Sequence, residues 1–521
     1  MANEMRVRKR RERDKSAPTG RGEVGAVFAL IAAALALRLA ALGTPSLWHD
    51  EALEYVRAAG NLRTAFLGRP IDQDPPLFAV FNHAWVHFGV SEWWLRVPSA
   101  LLGAVTVFMA GIWAGRRFGS RTGRLTALVM AVAPVLVHYS QELNQYAAMV
   151  FLTVVVLIAW DKVVVLGRPQ DWRRYTAFSV IALGTHYGMG FPLAAMGVFL
   201  AWQTRMRRPE PRPNHSRAAL PLYVLICGST IGALWFLGLR DRLALPHHQA
   251  RFGGTHFTKE LDYLADTLWR EVLVFFTLPM SGGPALWIVG ALVLIAATGA
   301  VDLWRRGPTG RRLVAIVFVG SLALTYPADG LGWYPLGYRW ALYAAPAFFI
   351  ALAAGLAWLW GQAPPLGGLM TLAVVGTGLV FAPQADDWNP WLAVPREEMR
   401  AVVARLTGDI GPMDLLYVSP GANPAFRYYA NLATMQWNVR TASIWGTAPG
   451  ENGYPSEAEH IANAAARSRR IWLLLARPEA GEEAGLLGAL AHIGWVESGR
   501  VTEPGVSLVL LRSLPTLRTG R

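Results

Sequence analysis

The sequence Leu47-Trp48-His49-Asp50-Glu51-Ala52 closely follows the first long apolar run, residues 24–42, and precedes a polar segment with helical character. Adjacent carboxylates at the mouth of a membrane span are costly to keep near hydrocarbon, so they indicate a functional site. Asp and Glu also favour the first turn of a helix, where they interact with the positive end of its dipole. Taken alone, Asp50 and Glu51 fit both interpretations equally well, and the surrounding sequence has to decide between them.

The chain has the composition of a polytopic membrane protein. Of its 521 residues, 53% are hydrophobic and only 16% are charged, and the mean hydropathy is +0.29. A net charge of +14 could indicate nucleic-acid binding, but the basic residues lie in short segments between apolar runs, as the positive-inside rule expects. We therefore expect no nucleic-acid partner. The single cysteine, Cys227, excludes an intramolecular disulfide and a cysteine metal cluster.

Eleven apolar runs are predicted to cross the membrane, most of them near the ~20 residues that a helical span needs. They are residues 24–42, 98–113, 125–137, 146–166, 176–186, 188–202, 220–239, 284–301, 313–326, 340–360 and 366–381. The first is predicted to be an uncleaved span that follows a basic cytoplasmic tail, residues 1–23. Arg38, near the far end of this span, is expected to extend its charge to the interface.

Clusters of Arg and Lys indicate the orientation in the membrane. They lie in alternate connections on the same side as the N-terminus, within residues 116–124, 162–174, 205–217 and 305–312. The positive-inside rule identifies this side as cytoplasmic. An odd number of spans then places the C-terminus outside, so we expect a multi-pass protein of the inner or plasma membrane. The transmembrane domain is predicted to cover residues 24–383, with a large first outer loop at 43–97.

The last part of the chain, residues 384–521, has a different composition. Short β-rich runs at 415–419, 471–475 and 506–511 alternate with helix-like segments such as 457–467. This alternation predicts a small extracytoplasmic α/β domain. The fold class is therefore an α-helical polytopic membrane protein with a small C-terminal α/β domain.

Polar residues recur at the predicted outer ends of the spans. Asp72 and Asp74 lie in the first outer loop, where Pro75 and Pro76 stiffen the turn. The other members of this outer-face set are His138, Tyr139, Gln141, Glu142, Tyr146, Thr185, His186, Tyr187, Tyr338 and Arg339. Each one has a structural explanation, since histidines and tyrosines are common at membrane interfaces. Their location at one membrane face favours a shared site.

The ordered motifs resemble those of a known family. Leu47–Ala52 is followed by Asp72-Gln73-Asp74-Pro75-Pro76-Leu77, Arg96-Val97-Pro98-Ser99-Ala100-Leu101, Tyr139-Ser140-Gln141-Glu142, Thr185-His186-Tyr187 and Tyr338-Arg339. This order is similar to that of bacterial GT-C fold glycosyltransferases. Within these, it is most similar to the dolichyl-phosphate-mannose protein mannosyltransferase-like group, which includes galacturonosyl- and aminoarabinosyl-type transferases of the envelope. The resemblance covers residues 25–360 and is strongest over 44–150.

The resemblance implies a transferase that takes a sugar from a polyprenyl-phosphate carrier at the outer leaflet and inverts the anomeric centre. It also implies a base role for Asp50, the first outer-loop aspartate. Two positions depart from the family pattern. Asn144 stands where relatives carry an arginine, which weakens a phosphate-binding role there, and Asp74 stands where many carry histidine before Pro-Pro.

The residue types suit this chemistry. A carboxylate can remove a proton from an acceptor hydroxyl, so Asp50 and Glu51 are the catalytic candidates. The developing charge on the lipid phosphate needs cations. The candidates for donor and phosphate binding are Arg339, Tyr338, Arg96, His186, Tyr187, Gln141 and Tyr146.

A divalent cation, Mg²⁺ or Mn²⁺, is a further possibility, because oxygen ligands suit these metals. Its candidate ligands are Asp72, Asp74 and Glu142. We expect no nucleotide or redox cofactor. The expected partners are the polyprenyl-phosphate sugar, a lipid, glycan or protein acceptor, and the membrane.

Two alternatives remain open at this point. A lipid-linked sugar flippase or transporter would also have many spans, but its ionisable groups should lie near the bilayer midplane, whereas here they cluster in outer loops. A non-catalytic glycan-assembly protein is disfavoured by the ordered acidic set, although Asn144 keeps it open.

Overall fold

The structure, a computed structural model, describes residues 21–68, 74–206, 215–244, 267–277, 283–381, 397–432, 441–442, 453–478 and 481–514. Its helical part comprises α1 (Arg21–Leu39), α2 (His49–Ala58), α3 (Leu62–Leu67), α4 (Pro76–Trp85), α5 (Glu92–Phe118), α6 (Ser120–Val132), α7 (Pro134–Ser140), α8 (Tyr146–Val165), α9 (Pro169–Thr185), α10 (Gly190–Met206), α11 (His215–Leu234), α12 (Arg240–Ala244), α13 (Gly283–Arg305), α14 (Pro308–Arg312), α15 (Ser321–Gly330), α16 (Ala345–Gln362) and α17 (Pro364–Phe381). Shorter helical segments are Val86–Phe88, Tyr187–Met189, Trp235–Leu239, Thr267–Val274, Phe275–Thr277, Leu313–Gly320 and Tyr338–Ala344.

Each of the predicted spans coincides with helix in the structure. Within the described residues, six helical stretches are long and apolar enough to cross a membrane, and the bent pair α6–α7 makes a seventh. Two further apolar helices, Ala29–Leu39 and Pro364–Leu379, are shorter. The structure thus has the helical membrane architecture expected, while the count of eleven spans stays a prediction.

The break between α6 and α7 explains the position of Arg38. The two helices meet at 59°, and Pro134, the first residue of α7, has no N–H with which to bond the Met130 carbonyl. Arg38 supplies the missing donors, bonding to Met130 O at 3.1 Å and to Ala131 O at 3.0 Å. The side chain is fully buried. The prediction that Arg38 extends to the interface is wrong, because carbonyl groups exposed by the bend stabilise it inside the bundle.

Glycines allow neighbouring helices of the bundle to pack closely. On α5 and α6, a Cβ atom at Gly123 would lie 2.6 Å from the Gly111 carbonyl oxygen. On α13 and α16, a Cβ atom at Gly299 would lie against Ala351 O and Gly355 N. Small residues at such crossings let backbones approach without lost packing, as is common between membrane helices.

The C-terminal domain is a three-layer α/β unit. Its elements are α18 (Met399–Asp409), β1 (Leu415–Val418), α19 (Asn423–Leu432), β2 (Thr441–Ala442), α20 (Gly453–Ala464), β3 (Arg470–Ala476), α21 (Glu482–His492), β4 (Trp495–Glu503) and β5 (Val506–Ser513). The strand order is β2-β1-β3-β5-β4. β1 is parallel to β2 and β3, and β5 is antiparallel to β3 and β4. The predicted strands and the predicted α/β class are confirmed; the domain boundary at 383/384 lies outside the described residues.

The C-terminal domain docks on the first loop through an apolar cluster. Residues of α18, α19 and one sheet face share a core with Leu47, Ala52 and Tyr55. Tyr55 and Tyr428 meet edge to face, with ring centroids 4.8 Å apart. The backbone N–H of Leu47 donates to the Tyr429 hydroxyl at 2.7 Å. The motif that contains Asp50 is therefore held between the helix bundle and the α/β domain.

Candidate active site

Asp50 forms an ion pair with a distant arginine. It lies in the first turn of α2, and Arg339 Nη1 donates to its Oδ2 at 2.7 Å. Arg477 of the C-terminal domain approaches the other oxygen, with Nη1 3.5 Å from Oδ1. Although burial raises the pKa of Asp50, the Arg339 and Arg477 guanidinium groups lower it to about 2. The side chain is charged, and it is 25% exposed, so a ligand can reach it.

Three aromatic rings surround the Arg339 guanidinium group. Its Cζ atom lies 5.6 Å from the ring centroid of Trp48, 5.5 Å from that of Tyr146 and 5.2 Å from that of Trp340. These are cation–π distances. Tyr338, just before it, has a φ of +46°, a left-handed conformation that is uncommon for a residue with a side chain. The local backbone and the rings together direct Arg339 towards Asp50.

A second acid–arginine pair joins Asp74 to Arg242 of α12. Arg242 Nη1 bonds to Asp74 Oδ1, and the guanidinium lies 5.7 Å from the centroid of the Tyr187 ring. Arg57 fixes the backbone of Asp74 by donating to its carbonyl oxygen at 3.0 Å. Although burial raises the pKa of Asp74, Arg242 lowers it. Asp74 is therefore a charged partner of Arg242.

Tyr146 lies near both acid–arginine pairs, and His186 lies near Asp74, Arg242 and Arg339. Their rings are 5.5 Å apart. His186 Nδ1 accepts the Gly188 N–H at 3.0 Å, so the neutral ring carries its proton on Nε2. The predicted residues Asp50, Asp74, Tyr146, His186, Tyr187, Tyr338 and Arg339 are thus brought together at one end of the bundle.

Glu51 and Arg96 have a different role from the one their sequence positions suggest. Glu51 is fully buried and Arg96 is 1% exposed. Both oxygens of Glu51 accept from Arg96 at 2.7 Å, and Oε1 also accepts the Leu143 N–H. The remaining Arg96 donors bond to backbone carbonyls of the loop that precedes α2. The assignments of Glu51 to catalysis and Arg96 to phosphate binding are therefore replaced by a structural pair that anchors the Asp50 loop to α5.

Gln141 also belongs to the scaffold. Its side-chain amide donates to Leu37 O at 3.2 Å and to Ala40 O at 2.8 Å. These carbonyl groups lie at the end of α1, where the last carbonyl groups of a helix have no partner within the helix. Gln141 thus ties α1 to the end of α7, and its role in donor binding stays a prediction.

The described residues do not fit the predicted metal site. Asp74 is already paired with Arg242. Glu142 pairs with His138, and His138 Nε2 lies 3.2 Å from Glu142 Oε1. Among the residues that the structure describes, no group of three His, Cys, Asp or Glu side chains could hold a metal ion. Asp72, the third predicted ligand, lies outside the described residues.

Four site residues were not predicted from the sequence: Trp48, Arg242, Arg477 and Glu397. Trp48 precedes Asp50 by two residues, so its proximity in the sequence was the available signal. Arg242 is one of several arginines between the predicted spans 220–239 and 284–301, without a motif of its own. Arg477 and Glu397 lie in the C-terminal domain, where only the strand that ends at Ala476 could have suggested an edge position.

The comparisons with known proteins agree with this architecture. The family model for dolichyl-phosphate-mannose-protein mannosyltransferase matches residues 73–230, a segment that contains Asp74, Tyr146 and His186. A search of the curated proteins found no match. The crystal structure of ArnT from Cupriavidus metallidurans bound to undecaprenyl phosphate matches with a TM-score of 0.54 at 15% identity, covering 96% of this chain and 99% of that chain. The fold is that of the GT-C glycosyltransferases.

Two structures of the Archaeoglobus fulgidus oligosaccharyltransferase share the GT-C fold with this chain. The complex with Zn and sulfate gives a TM-score of 0.51 at 13% identity, with 92% of this chain and 72% of that chain covered. The form tethered to an acceptor peptide with the NVT sequon gives 0.52 at 12% identity, with 93% and 73% covered. The expected GT-C fold is confirmed; at these identities the likeness establishes the fold and not the substrate.

Proposed function

We propose that this protein transfers a sugar from a polyprenyl-phosphate-linked donor to an envelope acceptor on the outer face of its membrane. The transfer inverts the anomeric centre of the sugar, and Asp50 is the general base. The observation that carries the proposal is the ion pair between Asp50 and Arg339, 2.7 Å apart and partly exposed. A carboxylate and a guanidinium that are paired with each other and open to a ligand can exchange partners when an anion binds. The GT-C fold and the family match support the transferase class.

Donor binding supplies the first step. The donor phosphate pairs with Arg339, because guanidinium groups bind phosphate oxygens in a bidentate manner. Asp50 then loses one of the two cations that lower its pKa. A carboxylate with a less depressed pKa is a better base. Donor binding therefore both positions the sugar and activates the base.

The chemical step is a single displacement. The acceptor hydroxyl gives its proton to Asp50 as its oxygen attacks the anomeric carbon. The bond from that carbon to the phosphate oxygen breaks, and the lipid phosphate leaves with the electron pair. Arg339 stabilises the charge that develops on the phosphate, with Arg242 as a second cation nearby. Attack opposite the leaving group inverts the anomeric centre.

Relatives of known structure are compatible with these partners. ArnT from Cupriavidus metallidurans binds undecaprenyl phosphate in the structure that matches, and the archaeal oligosaccharyltransferase holds an acceptor peptide. By analogy, a polyprenyl carrier and a surface acceptor are the partners we propose for this chain.

Two measurements test the proposed function together. Mass spectrometry of envelope glycans from cells with and without the protein should show loss of one sugar modification and accumulation of its lipid-linked donor. The purified protein should cleave a synthetic polyprenyl-phosphate sugar in the presence of an envelope extract. A flippase would leave the sugar–phosphate bond intact, and unchanged glycans would contradict a transferase role.

A further inference from the structure

The carboxyl edge of the sheet in the C-terminal domain faces the active centre. The strand order β2-β1-β3 means that the chain runs from β1 to β2 and then returns across β1 to reach β3. Strand order reverses between the parallel strands β1 and β3. In open α/β sheets, the crevice outside the carboxyl ends of such strands is where ligands bind.

This edge is fixed against the start of α2. His49 Nδ1 lies 2.8 Å from the carbonyl oxygen of Gly421, in the loop that follows β1. A side chain at Gly421 would collide with Ala476 O at the end of β3, so the two loops pack as closely as backbone allows. The crevice therefore opens onto the residue next to Asp50.

Arg477, the first residue after β3, projects from this edge into the active centre. Its φ is +52°, a conformation that costs free energy for a non-glycine residue and persists where the surroundings impose it. The guanidinium group lies 5.6 Å from the centroid of Trp48. Its Nη1 is 3.5 Å from Asp50 Oδ1, and its Nε is 3.8 Å from Glu397 Oε1.

Glu397 is the buried carboxyl group that lies beside Arg477. It is 2% exposed, and neither of its oxygens has a hydrogen-bond partner within the described residues. Burial raises the pKa of Glu397 to about 8, and the Arg477 cation opposes this shift. The other charged or titratable groups that face it are Asp50 and Glu51, with the backbone N–H of His49 close by but outside hydrogen-bonding geometry.

We propose that Arg477 is a positioning residue for the Asp50 carboxylate, supplied by the C-terminal domain at the end of β3. The two oxygens of Asp50 face different arginines, Arg339 on Oδ2 and Arg477 on Oδ1. When the donor phosphate takes Arg339, Arg477 keeps Oδ1 fixed and leaves Oδ2 directed at the acceptor hydroxyl. The active centre is thus built by both domains. This inference rests on the proposed function.

The test measures transfer from a synthetic polyprenyl-phosphate sugar by full-length variants. Arg477→Gln should lower kcat by about tenfold or more and leave KM for the donor within about twofold, since Arg339 still binds the phosphate. Arg477→Lys should recover part of kcat, because an ammonium group can reach Asp50 without the fork geometry. Arg500→Gln is the matched control: Arg500 lies on β4 of the same domain and pairs with Glu483 and Glu497.

The pH profile of Arg477→Gln gives an independent readout. One of the cations that lower the pKa of Asp50 is then missing, so the acid limb of the pH profile for kcat/KM should move to higher pH. Glu397, whose pKa is raised to about 8, is protonated throughout this limb and does not alter it. Unchanged kcat in Arg477→Gln, a loss confined to KM, or an acid limb that stays in place or moves to lower pH would overturn the positioning role. A wild-type protein that transfers no sugar would overturn the proposed function and this inference with it; an active wild type with a normal Arg477→Gln overturns the inference alone.

Discussion

At the scale of single residues, two neighbouring carboxylates have opposite environments. Asp50 is partly exposed and faces two arginines from other parts of the chain. Glu51 is fully buried and both of its oxygens bond to Arg96. A side chain that must exchange partners needs access to a ligand, whereas one that anchors a loop needs complete pairing. This contrast supports a chemical role for Asp50 and a structural role for Glu51.

The contrast predicts different responses to the same kind of substitution. Glu51→Gln should leave the buried Arg96 charge without a counter-ion, which typically costs roughly 3–5 kcal/mol of stability. Asp50→Asn, the matched control one residue away, should keep the melting temperature close to that of the wild type. Thermal unfolding of the two purified variants in one detergent measures the difference. Equal melting temperatures, or the larger loss in Asp50→Asn, would contradict the assignment.

Arg339 can be tested by changing its shape while keeping its charge. If it binds the lipid phosphate, Arg339→Lys should be impaired because an ammonium group lacks the bidentate fork, and Arg339→Ala should be impaired further. Both variants should express normally. If Arg339 only anchors the chain at the interface, lysine should serve equally well. Transfer assays decide between these, and full activity of Arg339→Lys together with poor expression of Arg339→Ala would defeat the phosphate assignment.

At the residue scale, the sequence indicates where the site lies but not which residues pair. The order of the motifs predicts that Asp50, Asp74, His186 and Arg339 lie at the same membrane face. Asp50 and Arg339 are 289 positions apart, so their contact depends on helix packing that no local pattern reports. Arg477 shows the limit most clearly, because its role depends on how a second domain docks.

At the scale of elements, apolar run length predicts the helices well and their interruptions poorly. Every predicted span coincides with helix. The bend at Pro134 leaves backbone carbonyl groups without helical partners, and Arg38 donates hydrogen bonds to them. Arg38 lies 96 residues earlier in the sequence. A proline signals a bend, but only the packed structure shows which side chain satisfies it. A hydropathy profile also does not show which glycines lie where two helices cross.

The crossing of α13 and α16 gives a matched pair of glycine substitutions on one helix. Gly299→Ala should destabilise the protein, because the new Cβ atom would collide with Ala351 O and Gly355 N. Gly290→Ala meets nothing within 4 Å, and alanine favours helix over glycine by roughly 0.5–1 kcal/mol. Melting temperature should fall for the first and stay level or rise for the second. A neutral Gly299→Ala would show that the two helices pack less closely.

At the scale of the whole molecule, the proposed site requires the C-terminal domain and the Asp50 loop to lie on the outer side of the membrane. A reporter that works only when exported should be active after fusion to Arg521. A reporter that works only in the cytoplasm should be active when it is fused within residues 205–217. Reporter activities in intact cells measure both. A cytoplasmic C-terminus would overturn the count of eleven spans, and an outward-facing basic loop would remove the outer-face site altogether.

The sequence predicts the fold class, but it does not predict how the two domains pack against each other. Composition and alternating strands predict a helical membrane part and a small α/β part, and both are present. The apolar cluster that joins Leu47 and Tyr55 to α18 and α19 uses residues that look like ordinary core in each part taken separately. The docking of the C-terminal domain on the Asp50 loop therefore becomes visible only in three dimensions.

The most direct test of the central claim is single-turnover transfer from a synthetic polyprenyl-phosphate sugar by the wild type and by Asp50→Asn. The amide keeps the shape of the side chain and loses the base, so we expect the rate to fall by roughly 10²-fold or more. Donor binding should persist, because Arg339 is retained. A near-normal rate in folded, membrane-inserted Asp50→Asn would contradict the account.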